Sequence, residues 1–114
     1  MKQTASAPRT ISIEEAAQAF AALGSEQRLT VLRTLVRAGP DGLSMGDLAQ
    51  RTEIPNSTLT HHLRFLVSAG LVDQARVGRT IICSSVAYDM AEALSTYILT
   101  NCCADAPETD HSHD

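Results

Sequence analysis

The hydrophobic period of this chain changes at Gly70, and that change restricts the fold more than any composition figure. Before it, apolar residues recur at three- and four-residue steps, the spacing of one helical face. Leu29, Leu32, Leu35 and Val36 form one such stripe, and Leu59, Leu63, Leu66 and Val67 form another expected to be buried. After it, Leu71 to Arg76 and Thr80 to Val86 read as two short strands about a turn at Val77-Gly78-Arg79. A run of helices followed by one hairpin is not the strand–helix alternation of an α/β enzyme. The expected class is mostly α with a β-hairpin.

Local punctuation divides the helical part. Ser12 precedes Glu14 and Glu15, a capping residue with acids in the first turn, so a helix is expected to about Leu23. Gly24 breaks it and Ser25 caps a second helix, which ends in the loop signal Gly39-Pro40-Asp41-Gly42. Ser44 begins a short helix to about Arg51, with Met45, Leu48 and Ala49 facing inward. After a turn at Thr52 to Pro55, Asn56 or Ser57 is expected to cap a helix to about Ala69, which Gly70 ends in a left-handed conformation. A last helix, about Ala87 to Thr100, carries Met90, Leu94, Tyr97 and Ile98 on one side, with Asn101 as its stop. Residues 1–10 read as a disordered arm, 11–103 as one folded domain and 104–114 as a flexible acidic tail.

A chain of 114 residues makes one domain, small enough for a partner subunit to help bury its surface. No apolar run approaches the roughly 18 residues of a spanning helix, and the first residues lack the pattern of a signal peptide. A cytoplasmic protein with no membrane partner is expected. Three cysteines, an odd number, argue against a secreted disulfide framework. The formal charge of -4 is unevenly spread. Residues 25–86 carry seven Arg against five acids, whereas residues 87–114 carry six acids and no Lys or Arg. The acidity therefore leaves room for a modestly basic nucleic-acid-facing surface upstream.

Two short helices joined by a tight turn, the second opening with small hydroxyl residues, are the pattern of a helix-turn-helix. Ser57, Thr58, Thr60, His61 and His62 lie on or beside the face opposite the Leu59–Leu63–Leu66 stripe, where small donors can approach bases and phosphates. Arg64 lies further along the same helix, and Arg76 and Arg79 flank Gly78 at the hairpin tip. Each signal is weak alone: hydroxyls at a helix start are usually caps, and hairpin arginines are usually solvated charge. The combination is much more specific.

On these residues the chain resembles the ArsR/SmtB family of winged helix-turn-helix repressors, which respond to metals and metalloids. The matching stretches are Ala22-Leu23-Gly24-Ser25-Glu26-Gln27-Arg28-Leu29, Leu48-Ala49, Ser57-Thr58-Leu59-Thr60-His61-His62-Leu63 with Leu66, Ala69-Gly70-Leu71-Val72 and Gly78-Arg79. The resemblance implies a homodimer built from the first and last helices, binding a palindromic operator in double-stranded DNA. It also implies release of that DNA when an inducer binds.

The resemblance further narrows where an inducer would sit. One arsenic-sensing pattern of the family places two thiols in the helix before the recognition helix, where this chain has Ser44 and Gly46. A zinc site on the last helix would need His ligands, and that helix offers Asp89 and Glu92 without a His. What remains is the adjacent pair Cys102-Cys103, similar to a subgroup with vicinal cysteines at the end of the last helix. Thiolates select soft ions, so the expected inducer is a trivalent arsenical: arsenite, methylarsenite or another organoarsenical, or the related antimonite. Two sulfurs suit an organoarsenical that keeps its carbon ligand. A third from Cys83 would suit arsenite or antimonite, although a lone strand cysteine is more often a small core residue. His111 and His113, with Asp110 and Asp114, form a further candidate metal-binding tail against the plainer reading of solvated residues. The alternative is a redox-sensing repressor using the same pair. A thiol enzyme lacks support: there is no C-x-x-C and no basic residue after position 79 to depress a thiol pKa.

Overall fold

The computed structural model describes residues 10–107. In chain order the elements are α1 (Ile13–Ala22), α2 (Glu26–Ala38), β1 (Leu43–Ser44), α3 (Met45–Thr52), α4 (Asn56–Ser68), β2 (Val72–Val77), β3 (Thr80–Ser85) and α5 (Ala87–Leu99). Three helices begin at the expected serines. Ser12 and Glu15 form a reciprocal capping box, with bonds of 2.9 and 3.0 Å. Ser25 accepts from the Arg28 amide at 3.3 Å and Ser44 from the Asp47 amide at 3.1 Å. Each such cap satisfies an amide the helix cannot, and contributes about 1 kcal/mol.

The start of α4 differs from the expectation. Pro55, not Asn56 or Ser57, is its N-cap, and no side chain caps it. Proline presets the backbone entry, so Asn56 and Ser57 fall inside the first turn with their side chains free of that task. The end of α4 is closed by Gly70 at φ 79, with the Gly70 amide on the Val67 carbonyl at 3.0 Å and the Leu71 amide on the Leu66 carbonyl at 2.9 Å. This is the paired Schellman bonding that a left-handed glycine permits. It turns the chain directly into the hairpin.

β2 and β3 pair antiparallel from Val72 opposite Ser85 to Val77 opposite Thr80, joined by Gly78 and Arg79. Gly78 has φ 64, as a two-residue hairpin with glycine first requires. A third strand was not expected. Leu43 and Ser44 pair with Cys83 and Ile82, giving the sheet order β1-β3-β2. Gly42 makes this approach possible: a Cβ there would lie 2.2 Å from the Cys83 carbonyl oxygen. Two residues carry no readable period, so this strand is invisible to pattern alone.

The core is built from Val31 and Leu35 of α2, Leu48 of α3, Leu59, Leu63 and Leu66 of α4, then Leu71, Val72 and Cys83. Several residues of the expected stripes stay outside it. Leu29, Val36 and Val67 are exposed, as are Tyr97 and Ile98 of α5, while Met90 and Leu94 turn inward. α1 buries only alanines, Ala16, Ala19 and Ala22, and leaves Ile13 and Phe20 in solvent. The first and last helices thus carry half of the large exposed apolar side chains among the described residues, with Tyr88 and Leu99 completing those of α5. Among the described residues no helix is long and apolar enough to cross a membrane.

Candidate nucleic-acid interface and cysteine pair

α3 and α4 are joined by Glu53, Ile54 and Pro55, with Glu53 in the left-handed region at φ 59 and Ile54 buried. This tight turn directs the start of α4 outward. The buried row Leu59–Leu63–Leu66 fixes which face remains free. Ser57, Thr60, His61 and Arg64 are exposed on it, and Thr58 is half-buried. The Thr60 hydroxyl donates to the Asn56 carbonyl at 2.9 Å, which leaves its oxygen as an acceptor toward solvent.

The first turn of α4 is electrostatically unlike the others. α1 carries Glu14 and Glu15 there, α2 Glu26, α3 Asp47 and α5 Asp89, whereas α4 carries no acid. Uncapped amides and the positive end of the helix dipole therefore face outward without a competing carboxylate. Such an end accepts a phosphate.

His62 departs from the expectation. It is buried, its Nε2 lies 2.8 Å from Gln27 Oε1, and its Nδ1 has no partner. Burial, then the Arg28 and His61 charges, push its pKa below the usual histidine value. His62 is therefore a packing residue of the α2–α4 contact and not part of the exposed face. Its neighbour His61 is exposed and meets Phe65 edge-on, with ring centroids 5.1 Å apart. The Arg28 guanidinium lies over that same phenyl ring at 4.0 Å. Sequence patterning assigned no role to Gln27, Arg28 or Phe65. The only signal was the Gln27-Arg28 step itself, polar and set beside an apolar stripe.

Arg76 and Arg79 are exposed on the hairpin, as expected. A cleft lined by Thr60, Arg64 and Gln74 separates α4 from β2, so the helix and the wing border one surface.

The cysteine pair lies past the end of α5. Thr100 leaves the helix at φ -58, ψ 133, and Asn101 follows at φ 64, the left-handed conformation asparagine tolerates. Cys103 is also left-handed, at φ 67. The amides of Cys102, Ala104 and Ala106 bond back to the carbonyls of Leu99, Asn101 and Cys103. These turns bring the two exposed Sγ atoms to 3.5 Å, against about 2.05 Å for a disulfide, so both thiols are free. The Cys103 thiol is pushed above its usual pKa, chiefly by its contact with Cys102.

Cys83 is elsewhere. It is fully buried on β3, with its Sγ 3.6 Å from Met45 Sδ and 3.5 Å from Gln74 Nε2, and burial raises its pKa. Among the described residues no three His, Cys, Asp or Glu side chains are grouped to hold a metal ion. A single chain thus does not join Cys83 to the pair. His111 and His113, and residues 1–9 of the arm, lie outside the described residues.

A helix-turn-helix whose second helix presents an open, acid-free N-terminus beside a basic hairpin defines a winged-helix domain. Residues 23–75 match a family model described as a helix-turn-helix domain. An HTH-type transcriptional regulator of Bacillus subtilis, YceK, described as uncharacterized, is 38% identical over 56% of this chain and 63% of its own length. A repressor SmtB homologue of Synechocystis is 35% identical over 65% and 56%. The regulator NmtR of Mycobacterium tuberculosis is 36% identical over 74% of this chain and 68% of its own length. The chain therefore spans 63% and 56% of the first two of these relatives. A solved ArsR-like regulator from Rhodococcus is 28% identical, with a TM-score of 0.63 over 81% of this chain and 82% of that one. The chain belongs to the ArsR/SmtB family of winged helix-turn-helix transcriptional regulators. The proteins it resembles are regulators, not enzymes.

Proposed function

We propose that the protein is a cytoplasmic, homodimeric repressor that binds a palindromic operator through α4 and the hairpin wing. A trivalent arsenical bridging Cys102 and Cys103 releases it. The observation that carries the DNA reading is the first turn of α4, uncapped and free of acids where each other helix has at least one. Ser57, Thr58, Thr60, His61 and Arg64 contact bases and phosphates in this reading, while Arg76 and Arg79 hold the adjacent backbone. The exposed apolar side chains of α1 and α5 supply the dimer contact, since burying them is worth about 25 cal/mol per Å².

The arsenical reading rests on the two free sulfurs 3.5 Å apart. With a zinc–thiolate length of about 2.3 Å as yardstick, an atom bonded to both would subtend roughly 99°, a fair angle for a pyramidal trivalent centre. An organoarsenical R–As(OH)2 would exchange both hydroxyls for the two thiols. Each thiol proton leaves with a hydroxyl as water, so no oxidant is needed and no net proton is released. That suits the Cys103 thiol, whose pKa is raised. A vicinal disulfide is less suited, because neighbouring Cα atoms lie about 3.8 Å apart, short of the roughly 4.4 Å lower end for disulfides.

A side-by-side release titration tests the proposal, with methylarsenite, arsenite and peroxide on operator-bound wild type and on a Cys83→Ser variant. Release by methylarsenite in both chains is expected. Loss of response in Cys83→Ser would instead bring that thiol in as a third ligand, across the dimer. Release by peroxide at a lower dose than either arsenical would favour the redox reading.

A further inference from the structure

We infer that Gln27 and Arg28, consecutive residues on the first turn of α2, are positioning residues for DNA reading, setting the rotation of α4 about its own axis. The inference rests on the reading of α4 as the DNA helix. Gln27 holds His62 at 2.8 Å and Arg28 lies on Phe65 at 4.0 Å. His62 and Phe65 are three residues apart and so neighbour each other on one flank of the helix. That flank adjoins the exposed face directly. Ser57, His61 and Phe65 follow one another at four-residue steps, and His61 rests edge-on against Phe65. Arg28 therefore caps the end of the row that carries two of the expected DNA contacts.

The buried leucines alone leave this rotation loosely set. Leu59, Leu63 and Leu66 are aliphatic side chains in a non-directional contact. A hydrogen bond and a cation held over the face of a ring are directional, and both come from α2. His62 Nδ1 and Arg28 Nε are buried without partners. The two links therefore carry the polar orientation of this contact among the described residues. α1 closes the other side, since Gln18, Ala21 and Ala22 line the hollow shared with Arg28, Phe65 and Ser68.

Base-edge contacts carry the sequence information and depend on how the helix is turned, whereas phosphate contacts carry none directly. Loss of either link is thus expected to reduce sequence discrimination before it reduces DNA affinity as such. The test begins by selecting, from a random duplex pool, the sequence the wild-type chain prefers. Wild type, Gln27→Ala, Arg28→Ala, Arg28→Lys and Gln27→Ala in a His62→Ala background are then titrated against that duplex and against mixed-sequence duplex.

The expected result is a roughly 3- to 10-fold loss on the selected duplex for Gln27→Ala, the share of one hydrogen bond, with mixed-sequence affinity within twofold. Arg28→Lys should fail to restore the wild-type ratio, because a compact, strongly hydrated ammonium does not reproduce a guanidinium over the ring. Gln27→Ala should have no further effect once His62 is gone. Equal loss on both duplexes, or wild-type behaviour of Gln27→Ala and Arg28→Ala on the selected one, would overturn the inference. A wild-type chain that enriches no sequence would instead overturn the DNA reading beneath it. Gln27 is exposed, and matching thermal unfolding of its variant separates positioning from misfolding.

Discussion

Four buried side chains, Leu59, His62, Leu63 and Leu66, seat α4 against the core, and α2 grips its flank through Gln27 and Arg28. The turn carrying Cys102 and Cys103 has no such seat: residues 100–107 are exposed, and the amides of Cys102, Ala104 and Ala106 bond only to carbonyls three residues back. A reading surface must hold its geometry before DNA arrives. A thiol pair that chelates an ion can let the ion impose the geometry, because two covalent-strength contacts to one atom outweigh the cost of ordering a short turn. On the proposed reading, the molecule thus separates a preorganised surface from a responsive one. Changes at the two ends should have opposite signatures.

The largest contrast is in stability. Leu63→Ala should cost about 2–5 kcal/mol, as a large-to-small change in a filled core, whereas ending the chain after Asn101 should move stability by less than about 0.5 kcal/mol. Urea unfolding of the two variants checks this, and a comparable loss from the truncation would erase the distinction between the two ends.

Next comes Ser57→Asp, which places in α4 the first-turn acid that every other helix carries. Helix stability should rise by roughly 0.3–1 kcal/mol while DNA affinity falls, since the carboxylate takes the place of a phosphate. A variant that is both more stable and unimpaired on DNA would remove the case for the open N-terminus. Smaller again is the wing. Arg76→Ala and Arg79→Ala should each reduce the slope of log affinity against log salt by about 0.9 for each phosphate that the arginine neutralises.

The smallest effect is on pH dependence. The folded pKa of His62 is depressed below 6.5, so folding favours the neutral ring. The stability from that preference is complete above the unfolded value of 6.5 and is lost as pH falls from there toward the folded pKa. Unfolding midpoints measured from pH 7.5 downward should show this decline, and His62→Gln should flatten it.

Much of the seated part was legible in the sequence. Ser12, Ser25 and Ser44 cap where their spacing to the following residues indicated, and Gly70 reverses the chain as a left-handed residue should. Less legible was anything set by contacts distant in sequence. β1 exists because Gly42 lets its strand approach Cys83, forty-one residues on. His62 resembled a surface donor because nothing local shows that Gln27 awaits it. The stripes overstated burial at Leu29, Val36 and Val67, because a helical period marks an apolar face without showing how wide a neighbour covers it. At the cysteine pair the adjacency and the left-handed stop at Asn101 were readable. The left-handed Cys103 was not, since cysteine has no local preference for that region.

If reading and sensing are separable, with Cys102 and Cys103 as the input, removing both thiols should silence the response and leave the reading surface intact. The decisive measurement is operator affinity of a Cys102→Ser/Cys103→Ser variant, with and without methylarsenite. Wild-type affinity without the arsenical and no release with it are expected, against a weakening of roughly 5- to 150-fold for the unaltered chain, the usual range of coupling between two sites. A variant that still leaves its operator when methylarsenite is added would refute the separation.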